Sequence, residues 1–259
     1  MISLFNGCAS LKNFDDLSGW DVRNVTDIGY MFAGCKALEE LTITGWDAPS
    51  LLYVTAMFRD ARNLRRVNLS GWNTPSLTRM NSMFTSASQN SGNMKLEEVN
   101  LSGWYTGNVD TVGWMFYGCG SLVTVDMSNW NVEKLTTMGH MFADCYKLEN
   151  VYFTNWNTPS LICLDGVFND CHSLKTVDMS MFNTSNVTVF AQVFEICSSL
   201  KEIKGLENWN TAKGNDFSEI FSGCSSLTEL NLSSFDTTNA YSSSNTYSGV
   251  ENWVFLRFM

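Results

Sequence analysis

Short segments of strictly alternating apolar and polar residues recur along the chain. In the unit from Leu38 to Leu64, Leu41 and Ile43 are apolar, whereas Glu40 and Thr42 are polar. Such alternation predicts a short strand with its apolar side chains inward and its polar side chains outward. Equivalent pairs follow at Val67 and Leu69, Val99 and Leu101, Val125 and Met127, Val151 and Phe153, Val177 and Met179, and Leu230 and Leu232. Strands that recur in the same direction predict a parallel sheet.

A second pattern, with apolar residues three and four positions apart, follows each strand. Leu77, Met80, Met83 and Phe84 show it in one unit. This spacing places apolar side chains on one face of a helix, so each unit is predicted to contain a short helix. The segments 73–76 and 157–160, both Asn-Thr-Pro-Ser, fit helix starts because the polar side chains can cap free amides and proline is tolerated in the first turn.

Both patterns belong to one repeat, which is marked by a phenylalanine. The marker stands at Phe5, Phe32, Phe58, Phe84, Phe116, Phe142, Phe168, Phe194 and Phe221, with gaps of 27, 26, 26, 32, 26, 26, 26 and 27 residues. A fixed period of this size is typical of a solenoid. We therefore expect an α/β repeat protein: about nine strand–turn–helix units of ~26 residues that form a single domain over residues 1–259. Residues 1–14 would be a partial first repeat, and residues 236–259 an irregular capping segment that ends in a last strand at 252–259.

Two departures from the period bear on function. Six extra residues fall within the polar stretch 86–93, which predicts a longer surface loop that is either neutral or functional. The chain also starts inside a repeat, so the first coil is expected to expose apolar surface unless a partner domain or subunit covers it.

Charge and composition exclude several classes of partner. The net charge of −10 makes nucleic acid and anionic membranes poor ligands. No run of 18 apolar residues is present, so no membrane span is predicted. The first residues lack both the basic leader and the apolar stretch of a signal peptide.

The cysteine and methionine columns resemble chemistry but fit packing better. Seven of the eight cysteines lie three residues after a repeat phenylalanine, where disulfides or metal binding are conceivable, yet Ala61 and Ala87 take the same position. Cysteine packs well as a small buried hydrophobe, so buried free thiols are predicted, with Cys163 as the candidate reactive thiol. Valine or isoleucine replaces the column methionines in three repeats, and the tryptophan column, Trp130 included, is likewise assigned to the core. No metal site, cofactor or catalytic group is predicted. The two histidines, His140 and His172, are expected at the surface.

The remaining candidates for function lie on the outward face of the sheet. Two columns alternate in charge across successive strands: Glu39, Arg65 and Glu97, and Glu40, Arg66 and Glu98. Opposite charges on neighbouring strands attract, which favours a structural role for the arginines over a basic patch. The predicted ligand-binding residues are Arg66, Asn68, Glu98, Asn100, Thr124, Asp126, Asn150, Tyr152, Thr176 and Asp178. They suit a protein or a glycan ligand, or they simply keep an exposed sheet soluble.

The combined pattern LxxLxLSxWxTxxVxxMxxMFxxCxxL resembles the BspA-like leucine-rich repeat family over essentially the whole chain. That resemblance implies a curved, right-handed solenoid with the sheet on its concave face. It also implies adhesive or recognition roles at the cell surface or outside the cell, and no catalytic residues.

The predicted function is therefore a non-enzymatic binding or adhesion module that uses the concave sheet face. One alternative is a structural or receptor-binding subunit of a virion, phage tail or fibre that docks through the open end of the solenoid. Another is a solenoid lyase or hydrolase, for which Asp126 and Asp178 are the nearest carboxylates.

Overall fold

The computed structural model describes residues 1–14, 16–86, 93–241 and 244, and its regular structure consists mainly of short parallel strands. These are β1 (Glu40–Thr42), β2 (Arg66–Asn68), β3 (Glu98–Asn100), β4 (Thr124–Asp126), β5 (Asn150–Tyr152), β6 (Thr176–Asp178) and β7 (Glu202–Lys204). The middle residue of each strand points inward and is buried, except for the half-buried Val99. The predicted alternation is confirmed for these strands.

The strands stack in sequence order into a parallel β-solenoid of about six turns. The sheet is divided into three parts, β1-β2-β3, β4-β5 and β6-β7. Leu41 pairs with Val67, Val67 with Val99, Val125 with Val151, and Val177 with Ile203. The expected count of nine units is not supported, because the coils at both ends add side chains to the core without forming a paired strand in the described residues. Leu230 and Leu232, for example, are buried outside any strand.

The predicted helices are wrong. Turns occupy the segments with helical spacing, and within the described residues the helical structure consists of one short 3₁₀ helix, Leu206–Asn208. The reason is backbone conformation: residues two before and two after the repeat phenylalanine have positive φ, as at Ala56 and Asp60 around Phe58. A left-handed residue every fourth position is incompatible with a continuing right-handed helix. The expected helix starts at 73–76 and 157–160 are turns as well.

The turns around each repeat phenylalanine form what we call the turn ladder, comprising residues 28–34, 54–60, 80–86, 112–118, 138–144, 164–170 and 190–196. Within one coil, alternate amides close turns of four residues, as when Cys35 N donates to Phe32 O at 3.2 Å. The intervening amides donate to the next coil, as when Phe32 N donates to Met57 O at 2.9 Å. Successive four-residue turns place apolar side chains at intervals of three and four, which is the pattern that resembles a helix in the sequence.

Columns of apolar side chains, identical or similar from coil to coil, fill the interior. The repeat phenylalanines stack face to face, with ring centroids 5.2 Å apart between Phe58 and Phe84 and 6.0 Å apart between Phe194 and Phe221. The methionine column is fully buried, which confirms its predicted role in packing. Parallel-displaced rings add attraction beyond the area they bury, so the stack ties each coil to its neighbours.

The irregular segments fall largely outside the described residues. This applies to residues 87–92 of the insertion, to most of the C-terminal capping segment, and to the expected last strand at 252–259. In the part of the chain that is described, no helix has the length and apolar character needed to cross a membrane.

Candidate binding surface

The ten predicted ligand-binding residues all lie on the outward positions of β2 to β6, a surface that we call the strand face. Nine of them are exposed, and Asn68 is half-buried. The register places Thr124 beside Asn150 and Asp126 beside Tyr152. The strand face is therefore a continuous row of exposed polar side chains within each part of the sheet.

Ion pairs occupy the first part of the strand face. Arg66 Nη1 lies 2.6 Å from Glu40 Oε1, and Arg66 Nε lies 3.6 Å from Glu98 Oε2. The hydrogen bond that Arg66 donates to the Glu40 carboxylate raises the pKa of Arg66, and the charges of Glu40 and Glu98 add to this effect. Since the guanidinium is shared between two carboxylates on adjacent strands, the predicted structural role of the arginine column is confirmed. This region presents no unpaired basic patch.

The last residue of several strands has a second role that sequence reasoning missed. Asp126 Oδ1 accepts a hydrogen bond from Ser128 N at 2.9 Å, and Asp178 Oδ1 accepts one from Ser180 N at 3.0 Å. Asn100 accepts the equivalent bond. Side-chain oxygens of Asn and Asp often hold the backbone two residues on in this way. The Ser180 hydrogen bonds, with that from its side chain first, lower the pKa of Asp178. The signal was present in the sequence as a recurrent Asn or Asp with Ser two residues later.

A cleft of about 550 Å³ opens where the strand pairing between β3 and β4 is interrupted. Asn100 and Asp126, two of the predicted residues, line the cleft together with Trp104 and Trp130. The Trp104 side chain is fixed, because its Nε1 donates to Leu69 O at 2.7 Å. Trp130 is only half-buried, so its assignment to the core was incomplete. The cleft thus combines indole surface with exposed amide and carboxylate groups, which is the composition expected of a small recognition site.

Most of the cysteine column is buried, and Cys8 is its exposed member. Cys35, Cys119, Cys145, Cys171, Cys197 and Cys224 are buried free thiols, as predicted, whereas Cys8 is exposed. Each buried thiol donates to the carbonyl of a repeat phenylalanine in the preceding coil, as from Cys145 Sγ to Phe116 O at 3.2 Å. Burial raises the pKa of Cys145, so its thiolate is disfavoured. Among the described residues, no group of three or more His, Cys, Asp or Glu side chains is placed to hold a metal ion.

The two histidines lie toward the surface and each faces a carboxylate. His140 Nε2 is 3.2 Å from Asp165 Oδ2, and His172 Nε2 is 3.0 Å from Asp170 Oδ1. Cys171 points into the core, so its adjacency to His172 in the sequence produces no nucleophile–base pair.

Comparison with known proteins gives a family but no activity. The family described as "Mycoplasma protein of unknown function, DUF285" matches residues 1–100, 87–202 and 149–254, and together these matches span nearly the whole chain. The chain belongs to this family. The matched segments coincide with the repeats described above, so this member of the family is a repeat protein.

Among solved structures, the chain is similar to a leucine-rich repeat protein from Bacteroides ovatus, at 18% sequence identity and a TM-score of 0.36. The similarity covers 89% of this chain and 69% of that protein. The search of curated proteins gave no match.

Proposed function

We propose that this protein is a non-enzymatic binding module that recognises a protein or glycan through its strand face, with the cleft between β3 and β4 as the centre of the site. The observation that carries the proposal is the cleft itself, where exposed Asn100 and Asp126 meet Trp104 and Trp130. Indole rings contribute large contact area and lose little conformational entropy, and polar groups beside them fix the orientation of a ligand.

The division of roles along the repeat supports this proposal. Positions that face inward stay apolar in column after column, whereas the strand face carries Arg, Asn, Glu, Thr, Asp and Tyr on the same framework. A solenoid built in this way can change its surface without disturbing its core. The resemblance to BspA-like repeats extends the proposal to adhesion at a cell surface or outside the cell.

The first step of the test is to screen the folded chain against arrays of glycans and of extracellular proteins. The second compares Asp126→Ala with Asp178→Ala. Both aspartates end a strand and accept a hydrogen bond from the serine two residues on, but only Asp126 lines the cleft. We expect Asp126→Ala and Trp130→Ala to weaken binding of the array ligand at least tenfold, because each removes a group from the cleft, and Asp178→Ala to leave it unchanged. Equal losses at Asp126 and Asp178, or no loss at either, would move the site away from the cleft.

A further inference from the structure

A groove of about 640 Å³ runs along the turn ladder, and none of its lining residues belongs to a strand. It extends from Arg59 to Ile196 and so crosses six successive coils. With neighbouring coils about 4.8 Å apart, its length is roughly 24 Å. Trp114, Tyr117 and His140 line its middle. The groove is therefore a second elongated surface, separate from the strand face.

Several contacts hold the aromatic side chains in the middle of the groove in place. Trp114 and His140 occupy the same position in consecutive coils, and their rings stack with centroids 5.5 Å apart and planes 24° from parallel. His140 Nε2 lies 3.2 Å from Asp165 Oδ2, which orients the imidazole. The next residue in this column is Gly166, where a β-carbon would lie 2.2 Å from His140 Nδ1. Glycine at this position gives the imidazole the room it occupies.

The position of Trp114 does not require a large side chain, because Ala56, Ser82 and Gly166 occupy it in other coils. The turn requires a left-handed backbone there, with φ of 56°, which glycine adopts freely and which is unfavourable for a bulky side chain. The indole remains 48% exposed, so about half of its surface is available to a ligand. Large exposed aromatic groups held in an unfavourable backbone conformation are typical of recognition sites.

Hydrogen-bond donors and acceptors flank the aromatic middle of the groove on both sides. At one end, the Asn169 amide donates to Glu195 Oε2, and Gln192 Nε2 donates to Glu219 Oε2 at 2.8 Å. These bonds fix side chains that still have donors and acceptors to offer. Burial raises the pKa of Glu195, and the charge of Glu219 adds to this effect. At the other end of the groove lie Arg59, Ser82 and Thr85.

From this composition we propose that the groove binds a neutral oligosaccharide. The apolar C–H face of a pyranose ring stacks on the exposed indole of Trp114, and its hydroxyl groups both donate to and accept from the amides and hydroxyls at the two ends. An anionic chain would face Asp170 and Glu195, and a cationic chain would face Arg59. An elongated, uncharged ligand avoids the repulsion between like charges in both cases. This site is independent of the one proposed on the strand face.

The test measures binding of cellohexaose, maltohexaose and chitohexaose to the whole chain by isothermal titration calorimetry. We expect at least one of the three to bind, and Trp114→Ala to weaken that binding at least tenfold. Gly166→Ala should also weaken it, since its new methyl group displaces the His140 ring. Tyr30→Ala is the matched control, because Tyr30 has the same left-handed position in an earlier coil and lies outside this groove. Circular dichroism checks that each variant is folded.

Three results would overturn the proposal. The first is that none of the three sugars binds the folded wild-type chain at millimolar concentration. The second is that Trp114→Ala binds the sugar as tightly as the wild type does. The third is that nona-lysine binds in place of the sugars and loses its affinity in Trp114→Ala, which would assign the groove to cationic peptides. Because Asp126→Ala should leave sugar binding intact, failure here is distinguishable from failure of the strand-face proposal.

Discussion

Replacing one tryptophan of the repeat column with phenylalanine should destabilise the chain in one coil and not in another. Trp156 and Trp209 are both 1% exposed and occupy the same position in their repeats. Trp156 Nε1 donates to Met127 O at 2.8 Å. Trp209 Nε1, by contrast, has no hydrogen-bond partner among the residues that the structure describes. Phenylalanine is accommodated at this position, since Phe182 occupies it in the coil between them.

The two variants lose the same ring area, so the difference between their free energies of unfolding comes from the indole hydrogen bond. Changing a buried indole to a phenyl ring sacrifices roughly 1 kcal/mol of apolar burial. Trp156→Phe additionally removes a hydrogen bond to a buried carbonyl, at a cost of about 1 kcal/mol. Trp209→Phe instead removes a buried, unpartnered N–H, which relieves a penalty of about 1–3 kcal/mol. We therefore expect Trp156→Phe to lower the free energy of unfolding by about 2 kcal/mol, and Trp209→Phe to leave it unchanged or raise it.

Urea unfolding followed by far-ultraviolet circular dichroism provides the measurement. Trp72→Phe serves as a second bonded case, because Trp72 Nε1 donates to Ile43 O at 2.7 Å, and it should behave like Trp156→Phe. Neighbouring coils in a solenoid unfold as coupled units, so the midpoints are compared only if the slopes of the transitions agree. Equal destabilisation by Trp156→Phe and Trp209→Phe would refute the reasoning that the indole hydrogen bond decides the difference.

Two further predictions concern the titratable groups. Iodoacetamide at neutral pH should alkylate Cys8 and Cys163 in the native chain, and all eight cysteines only in denaturant. The reason is that the other thiols are buried, and burial raises the pKa of Cys35, for example, to about 11. Mass spectrometry that finds modification of the buried cysteines in the native chain would contradict this. Burial also raises the pKa of Asp144, with the charge of Asp170 as a further cause, so the folded state holds this proton more tightly than the unfolded state does. Stability from this group is then lost as pH rises through the folded pKa. Asp144→Asn should raise the free energy of unfolding at pH 7, and by progressively less as the pH falls toward about 4, near the ordinary pKa of an aspartate. A stabilisation by Asp144→Asn that does not change with pH would argue against the raised pKa of Asp144.

The strands could be predicted from the sequence because strict alternation of apolar and polar residues over such short segments indicates a strand with one buried face. Leu41 flanked by Glu40 and Thr42 is buried between two exposed residues, as predicted. The turn ladder could not be predicted in the same way. Met80, Met83 and Phe84 have the spacing of a helix face, and successive four-residue turns produce an almost identical spacing. Non-local hydrogen bonds between coils decide between the two, and local sequence does not record them.

The binding surfaces were predictable only in part. The strand face follows from the strands, so its residues could be named from the sequence. The cleft depends on an interruption of pairing between β3 and β4, which no single repeat displays. Likewise, Trp114 and His140 differ from their column neighbours, which indicated surface exposure. That they stack on each other follows from the spacing and tilt of two coils, and this geometry becomes visible only in three dimensions.

The hydrogen bonds between coils also give the turn ladder an electrical direction. Amides at positions such as Tyr30, Ala56 and Ser82 all donate toward the coil of higher residue number. Peptide dipoles aligned head to tail add up, as they do along an α-helix. Their sense relative to the chain is opposite to that of an α-helix, so the end of the turn ladder at lower residue number is its negative pole. A molecule that stacks on this end is favoured if it presents lysine or arginine, and one that stacks on the other end is favoured if it presents carboxylates.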